Sequence, residues 1–319
     1  MHRSGTSATT GVLHLLNVNL GTCLQEAQEG VNPKGFWEHL SIVEQHENLL
    51  DNLNSGWWDA LPLPRDWQKR PEILPYRERL TQIIQREFSG SPLWAIKDPR
   101  LCRLMPLWLD ILAEIDVTPH YLLVLRHPAE VAASLAHRDG ISPHMSALIW
   151  LRNVLESERE TRQKSRSVIA FEALLSDWHL AIGKVAREFK IYLPQEDADI
   201  VSRIETFLDP QLRHHSALAI ENVHDPFMAM AIEAYDAILM GDNERINAIG
   251  VMFEQETTQY TPWLKQIGNL MTRLKASNER VLRAATAAQA QRDEVIRIKS
   301  TVSWRITAPL RAVSNFFRN

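Results

Sequence analysis

Four short stretches concentrate side chains suited to holding anions and moving protons. In HRSGTS, Ser4, Gly5, Thr6 and Ser7 stand immediately before or at the start of a helical pattern. Successive backbone N–H groups at such a place, with the positive end of the helix dipole, cradle an oxyanion. Gly5 permits close backbone approach, the hydroxyls add donors, and Arg3 adds a cation. In LRHPAEVAASL, Arg126 ends an apolar run and Ser134 follows about two helical turns later. Arginine suits a bidentate phosphate contact, and a serine hydroxyl adds a donor. KDPR sets Lys97, Asp98 and Arg100 at the end of another apolar run. NPKGFWEH closes on Glu38 and His39, either of which could serve as a general base. The two aromatics before Glu38 would desolvate it and raise its pKa toward a useful value. The competing reading of Glu38 is a first-turn acid placed to meet the helix dipole.

The elements that position these residues follow from periodicity. Val12, Leu13, Leu15, Leu16 and Leu20 predict a helix from Thr6 to Leu20, stopped by Gly21. A Pro/Gly turn at Pro33–Gly35 leads into an amphipathic helix running to Leu53. An irregular segment follows that holds Trp57, Trp58 and Trp67, aromatics able to face a sugar ring or to pack as core. Leu80, Ile83, Ile84 and Phe88 mark the next helix. PLWAI, YLLVL and SVIAF then read as short strands, with helical patterns between them. That alternation predicts a parallel α/β sheet, and ligands bind such sheets where strands end and helices begin. From about Tyr260 the spacing of Leu264, Ile267, Met271, Leu274, Asn278, Val281, Ala285, Ala288, Arg292 and Val295 is 3-4-3-4, a heptad seam with Asn278 as a polar core position and with Arg292 and the small alanines weakening it. The seam predicts self-association as a coiled coil, with a lone surface helix as the alternative. The last residues are basic and aromatic, with Arg305, Arg311, Arg318, Trp304, Phe316 and Phe317. They suit an anionic membrane surface, a docking partner, or plain solvation. The predicted division is an α/β domain over residues 1–255, a long helix or coiled coil over 256–300, and a tail over 301–319.

Composition narrows the class. With 35 Lys and Arg against 39 Asp and Glu, the net charge of -4 argues against a nucleic-acid binder. Cys23 and Cys102 are the two cysteines, which argues against a disulfide framework. No apolar run reaches the ~20 residues of a membrane span, and no secretory leader opens the chain, so a cytoplasmic location is expected, peripheral to a membrane if the tail binds lipid. The histidines and cysteines show no metal-ligand spacing, and no metal is expected.

Together the four stretches resemble the PAPS-dependent sulfotransferase family, in particular its bacterial glycan-type members. The resemblance spans roughly residues 1–215 and extends to KDPRL, to FEALL at 171–175 taken as a strand end, and to FLDPQLRHH. It implies a P-loop-like parallel sheet flanked by helices. It also implies that Arg3, Ser4, Gly5, Thr6 and Ser7 bind the 5'-phosphosulfate of 3'-phosphoadenosine 5'-phosphosulfate (PAPS), and that Arg126 and Ser134 bind its 3'-phosphate. Glu38 is then the leading candidate for the base, with His39 its competitor. Lys97 and Arg100 face the sulfuryl group or an acidic acceptor, and the acceptor is a hydroxyl of a carbohydrate or glycolipid. Family members carry an apolar first strand and usually a glycine before the loop; here the loop opens the chain, and a strand of about five or six residues encoded upstream is expected. Two alternatives stay open. A P-loop nucleoside kinase or NTPase would need the lysine of G-x-x-x-x-G-K-[ST], where this chain has Thr6 and Ser7 after Gly5. A non-catalytic scaffold would keep a degenerate form of the fold and act through the coiled coil.

Overall fold

The computed structural model describes residues 1–29, 32–193, 197–208, 225–302 and 306. The compact unit Met1–Leu264 is mostly helical and contains a small parallel sheet flanked by helices. Two strands form that sheet, β1 (Tyr121–Leu125) and β2 (Arg166–Ala170), paired in parallel from Tyr121 opposite Arg166 to Leu125 opposite Ala170. The ladder ends at Leu125 opposite Ala170, where the partner segment turns into a helix, and Pro128 has no N–H with which to resume it. The same proline stands at the first position of α5 (Pro128–Asp139), where a missing N–H costs nothing. α6 (Pro143–Thr161) completes the crossover to β2.

Ahead of the sheet lie α1 (Thr6–Leu15), α2 (Leu40–Asn52), α3 (Leu74–Phe88) and α4 (Leu101–Glu114). After it come α7 (Phe171–Ser176), α8 (Trp178–Phe189), α9 (Ala198–Phe207) and α10 (Pro226–Met240). One apolar cluster joins α2, α3 and α4 to the sheet through Leu49, Leu80, Leu104, Ile111 and Leu123. A second joins α1, β2, α8 and α9 through Val12, Ile169, Ile182 and Ile204. The sheet is thus covered on both sides, as a parallel sheet requires.

The structure corrects the sequence reading at three places. The run PLWAI is not a strand: Trp94 makes an isolated parallel bridge with Asn19, with the Ala95 N–H donating to the Asn19 carbonyl at 2.9 Å. A strand exists through its neighbours, and among the described residues no longer ladder builds on this bridge. Helix α1 stops at Leu15, five residues short of Leu20, because Asn17 takes a left-handed conformation (φ 63°) and turns the chain before Gly21 is reached. The segment Phe171–Leu175 is the helix α7 rather than a strand end, with Glu172 in its first turn where the dipole favours an acid.

The helix α11 covers Asn243–Ser300. The chain divides at Leu264, and the second unit, Lys265–Asn319, carries most of the heptad seam, in which Leu274, Val281 and Val295 are exposed. Apart from residues 301, 302 and 306, the basic aromatic tail lies outside the described residues, as do residues 209–215 of FLDPQLRHH. No described helix is long and apolar enough to cross a membrane.

Candidate anion-binding cleft

The N-terminus of α1 opens into a cleft of about 600 Å³. Gly5 is the residue before the helix and has φ 84°, a conformation L side chains rarely adopt. Its hydrogen side faces Phe171, so closely that an added Cβ would come within 2.2 Å of the ring. The first helical hydrogen bond runs from the Thr9 N–H to the Gly5 carbonyl at 3.0 Å. The N–H groups of Thr6, Ser7 and Ala8 have no protein acceptor among the described residues, and all three residues line the cleft. Three parallel donors at the positive end of a helix are what an oxyanion site requires.

The cleft wall concentrates positive charge. Its charged side chains are the cations Arg3, Lys34, Lys97, Arg100, Arg126 and Arg138 against the carboxylates Glu38 and Asp139. Burial, with Arg138 and Arg126 close by, lowers the Arg3 pKa below its ordinary value. Like charges held together in this way favour an anion that would relieve them. Burial, then Arg100 and Arg138, holds the His2 imidazole well below its usual range.

Arg126, at the end of β1, donates from Nε to Glu130 on α5 at 2.9 Å and lies over the Phe171 ring at 5.1 Å. That stacking fixes the guanidinium plane beside Gly5. Ser134 is buried and does not itself line the cleft; its hydroxyl accepts from Nε of Arg3 at 2.7 Å. Arg3 and Arg126 therefore meet at one corner, and Ser134 supports it from behind. Ser4 is buried, does not line the cleft, and its hydroxyl has no partner among the described residues.

The opposite wall holds the candidate base. Helix α2 starts at Leu40, so Glu38 precedes its cap residue His39 and is not a first-turn acid. Trp37 takes φ 60°, which turns the chain so that Glu38 faces the cleft. One Glu38 oxygen accepts from Nζ of Lys97 at 2.5 Å, and the other lies 3.6 Å from Arg100. Lys97 also donates to the Ser7 hydroxyl at 3.1 Å and the Phe36 carbonyl at 3.0 Å, tying the helix N-terminus to the base. Burial lowers the Lys97 pKa, and Glu38 offsets this only in part. Arg100 is buried too, which would lower its pKa, but Asp98, Glu47 and Glu38 together outweigh burial and raise it.

His39 is not brought to the cleft. Its ring lies beside Phe88 and 3.6 Å from the Glu87 carboxylate, and neither ring nitrogen has a hydrogen bond among the described residues. Trp57 does line the cleft, against the His2 ring at 4.6 Å and under Arg138 at 5.6 Å, whereas Trp58 and Trp67 are buried. Sequence reasoning passed over Arg138, His2 and, behind the wall, His46. The signal for His46 was present: with Ile42, Leu49 and Leu50 it occupies the apolar face of α2, an unusual place for an imidazole.

Comparison with protein-family models, with curated proteins and with solved structures finds no match to this chain.

Proposed function

We propose that this protein is a PAPS-dependent sulfotransferase that transfers a sulfuryl group to a hydroxyl of a carbohydrate or glycolipid. One observation carries the reading. Arg3, residues 5–8, Glu38, Lys97, Arg100 and Arg126 come from stretches far apart in the sequence, yet all border one cationic cleft at a helix N-terminus. The residues fit the cosubstrate. The free N–H groups of Thr6, Ser7 and Ala8 suit the 5'-phosphosulfate, and the corner of Arg3 and Arg126, backed by the buried Ser134, suits the 3'-phosphate, so that Arg3 moves from the 5' group to which the resemblance assigned it. The P-loop-like form of the fold belongs to the same proposal.

In this reading the acceptor oxygen forms a bond to sulfur while the bond from sulfur to the 5'-phosphate oxygen breaks, and that electron pair leaves on the phosphate. Glu38 takes the acceptor proton. Lys97 orients the Glu38 carboxylate, and Lys97 and Arg100 take up charge at the transferring oxygens. Positioning and electrostatics supply most of the acceleration, as they do in phosphoryl transfer. Trp57 offers an aromatic face to a sugar ring. The test uses ³⁵S-labelled PAPS with a panel of alkyl glycosides as acceptors. Label should move to a glycoside with the native protein, and Glu38→Gln should lower the rate by about a hundredfold or more while nucleotide binding persists. Transfer that is equally fast in Glu38→Gln would contradict the assignment of the base. Label that moves to no acceptor would contradict the reaction.

A further inference from the structure

Behind the cleft wall a chain of buried polar groups leads to Arg100. The Trp108 indole, on α4, donates its N–H to Nε2 of His46 at 2.8 Å. An indole nitrogen can only donate, so Nε2 must carry a lone pair and the ring proton sits on Nδ1. Nδ1 lies 2.8 Å from Oδ2 of Asp98 and so donates to it. The other Asp98 oxygen accepts twice from Arg100, from the backbone N–H and from the guanidinium, each at 2.8 Å. His46 and Asp98 have side chains 0% and 1% exposed, so water does not compete for these bonds. Burial disfavours the Asp98 carboxylate, but Arg100 and His46 outweigh it and hold its pKa well below the usual carboxylate range.

We propose that His46 is a positioning residue for the cleft: locked by Trp108, it fixes Asp98 so that Asp98 aims the Arg100 guanidinium at the sulfuryl end of a bound PAPS. The inference rests on the sulfotransferase reading and names a residue that acts without touching substrate. Arg100 alone would have several rotamers. Asp98 fixes one face of it, Glu47 takes its Nε at 2.5 Å, and the side chain still borders the cleft. Asp98 has no such freedom while both its oxygens are engaged. Without the His46 donor, one Asp98 oxygen would be buried and unsatisfied, and the carboxylate would turn to recover a partner.

PAPS and 3'-phosphoadenosine 5'-phosphate (PAP) differ by the sulfuryl group, so their affinities separate this role from a merely structural one. Calorimetric titration of the full chain with each should show His46→Leu weakening PAPS by about tenfold with PAP unchanged. His46→Asn, whose amide N–H can replace Nδ1–H toward Asp98, should restore the PAPS affinity. If His46→Leu does not fold, Trp108→Phe carries the same test, because it frees the imidazole to change tautomer. It should lower the PAPS affinity severalfold and spare PAP. Equal losses for PAPS and PAP, or no loss for either, would overturn the positioning role. If the native protein binds PAP but does not distinguish PAPS from it, Arg100 does not face a sulfuryl group and the inference falls while the nucleotide site stands. If it binds neither, the sulfotransferase reading itself falls.

Discussion

Gly5 and Phe171 are fitted to each other by shape, and that fit governs the corner where Arg126 stacks. Gly5→Ala meets two obstacles, the positive φ and the Phe171 ring. It should destabilise the fold by about 1–3 kcal/mol, measured by urea unfolding. A glycine in a loop of this kind is readable as a device for backbone approach. The partner that crowds it was not readable, because Phe171 is remote in sequence. The same holds for Glu38. Its type and its aromatic neighbours were legible. That it precedes α2 and pairs with Lys97 depends on the left-handed turn at Trp37, which no propensity predicts for a tryptophan. His39 has the same chemistry on paper, but one step along the chain turns it to the other side.

Between elements, polar ties do what periodicity cannot announce. Arg103 on α4 is fully buried, bonded through Nε to Glu156 on α6 at 2.8 Å and through its other nitrogens to the carbonyls of Asp59 and Leu61 at 2.6 Å. Arg152 on α6 donates to the Ala60 carbonyl at 2.8 Å. Two guanidiniums thus hold the irregular segment that carries Trp57 to the cleft. Arg103→Met leaves the Glu156 carboxylate and two carbonyls without that partner, and should cost about 3–5 kcal/mol by thermal or urea denaturation. Glu87 on α3 holds the loop after α1 through the Thr22 hydroxyl at 2.6 Å and the Thr22 N–H at 3.0 Å. Those bonds depress the Glu87 pKa from 4.5 to about 2. A depressed carboxyl contributes stability that is present above its unfolded value and lost as pH falls through its folded one. Thr22→Val should therefore flatten the loss of stability between pH 4.5 and about 2, as read from denaturation midpoints across that range. Helices α1 to α6 and the pair β1 and β2 were legible from apolar spacing, whereas α7 was read as a strand end. PLWAI was misread because a strand is a property of two segments, and its partner is no more than the single residue Asn19.

Over the whole molecule the charge distribution matters more than its sum. The chain carries a net charge of -4, yet the cleft gathers six cations against two carboxylates. The overall balance argues against a nucleic-acid role as an expectation, but it could not reveal a local concentration of cations. The unit Met1–Leu264 contains every cleft residue. A chain ending at Leu264 should keep its affinity for PAP within about twofold, since affinity follows the intact site. In sedimentation the same truncation should lower the association state if the exposed heptad seam pairs copies of the chain.

On the proposed function, the cleft is a site for a 3',5'-bisphosphorylated adenosine. Calorimetric titration of the full chain with PAP, and in parallel with ATP and Mg²⁺, tests it most directly. Saturable PAP binding that disappears in Arg126→Ala is expected, with ATP and Mg²⁺ far weaker. Binding of ATP and Mg²⁺ with no response to PAP, or PAP binding indifferent to Arg126→Ala, would contradict it.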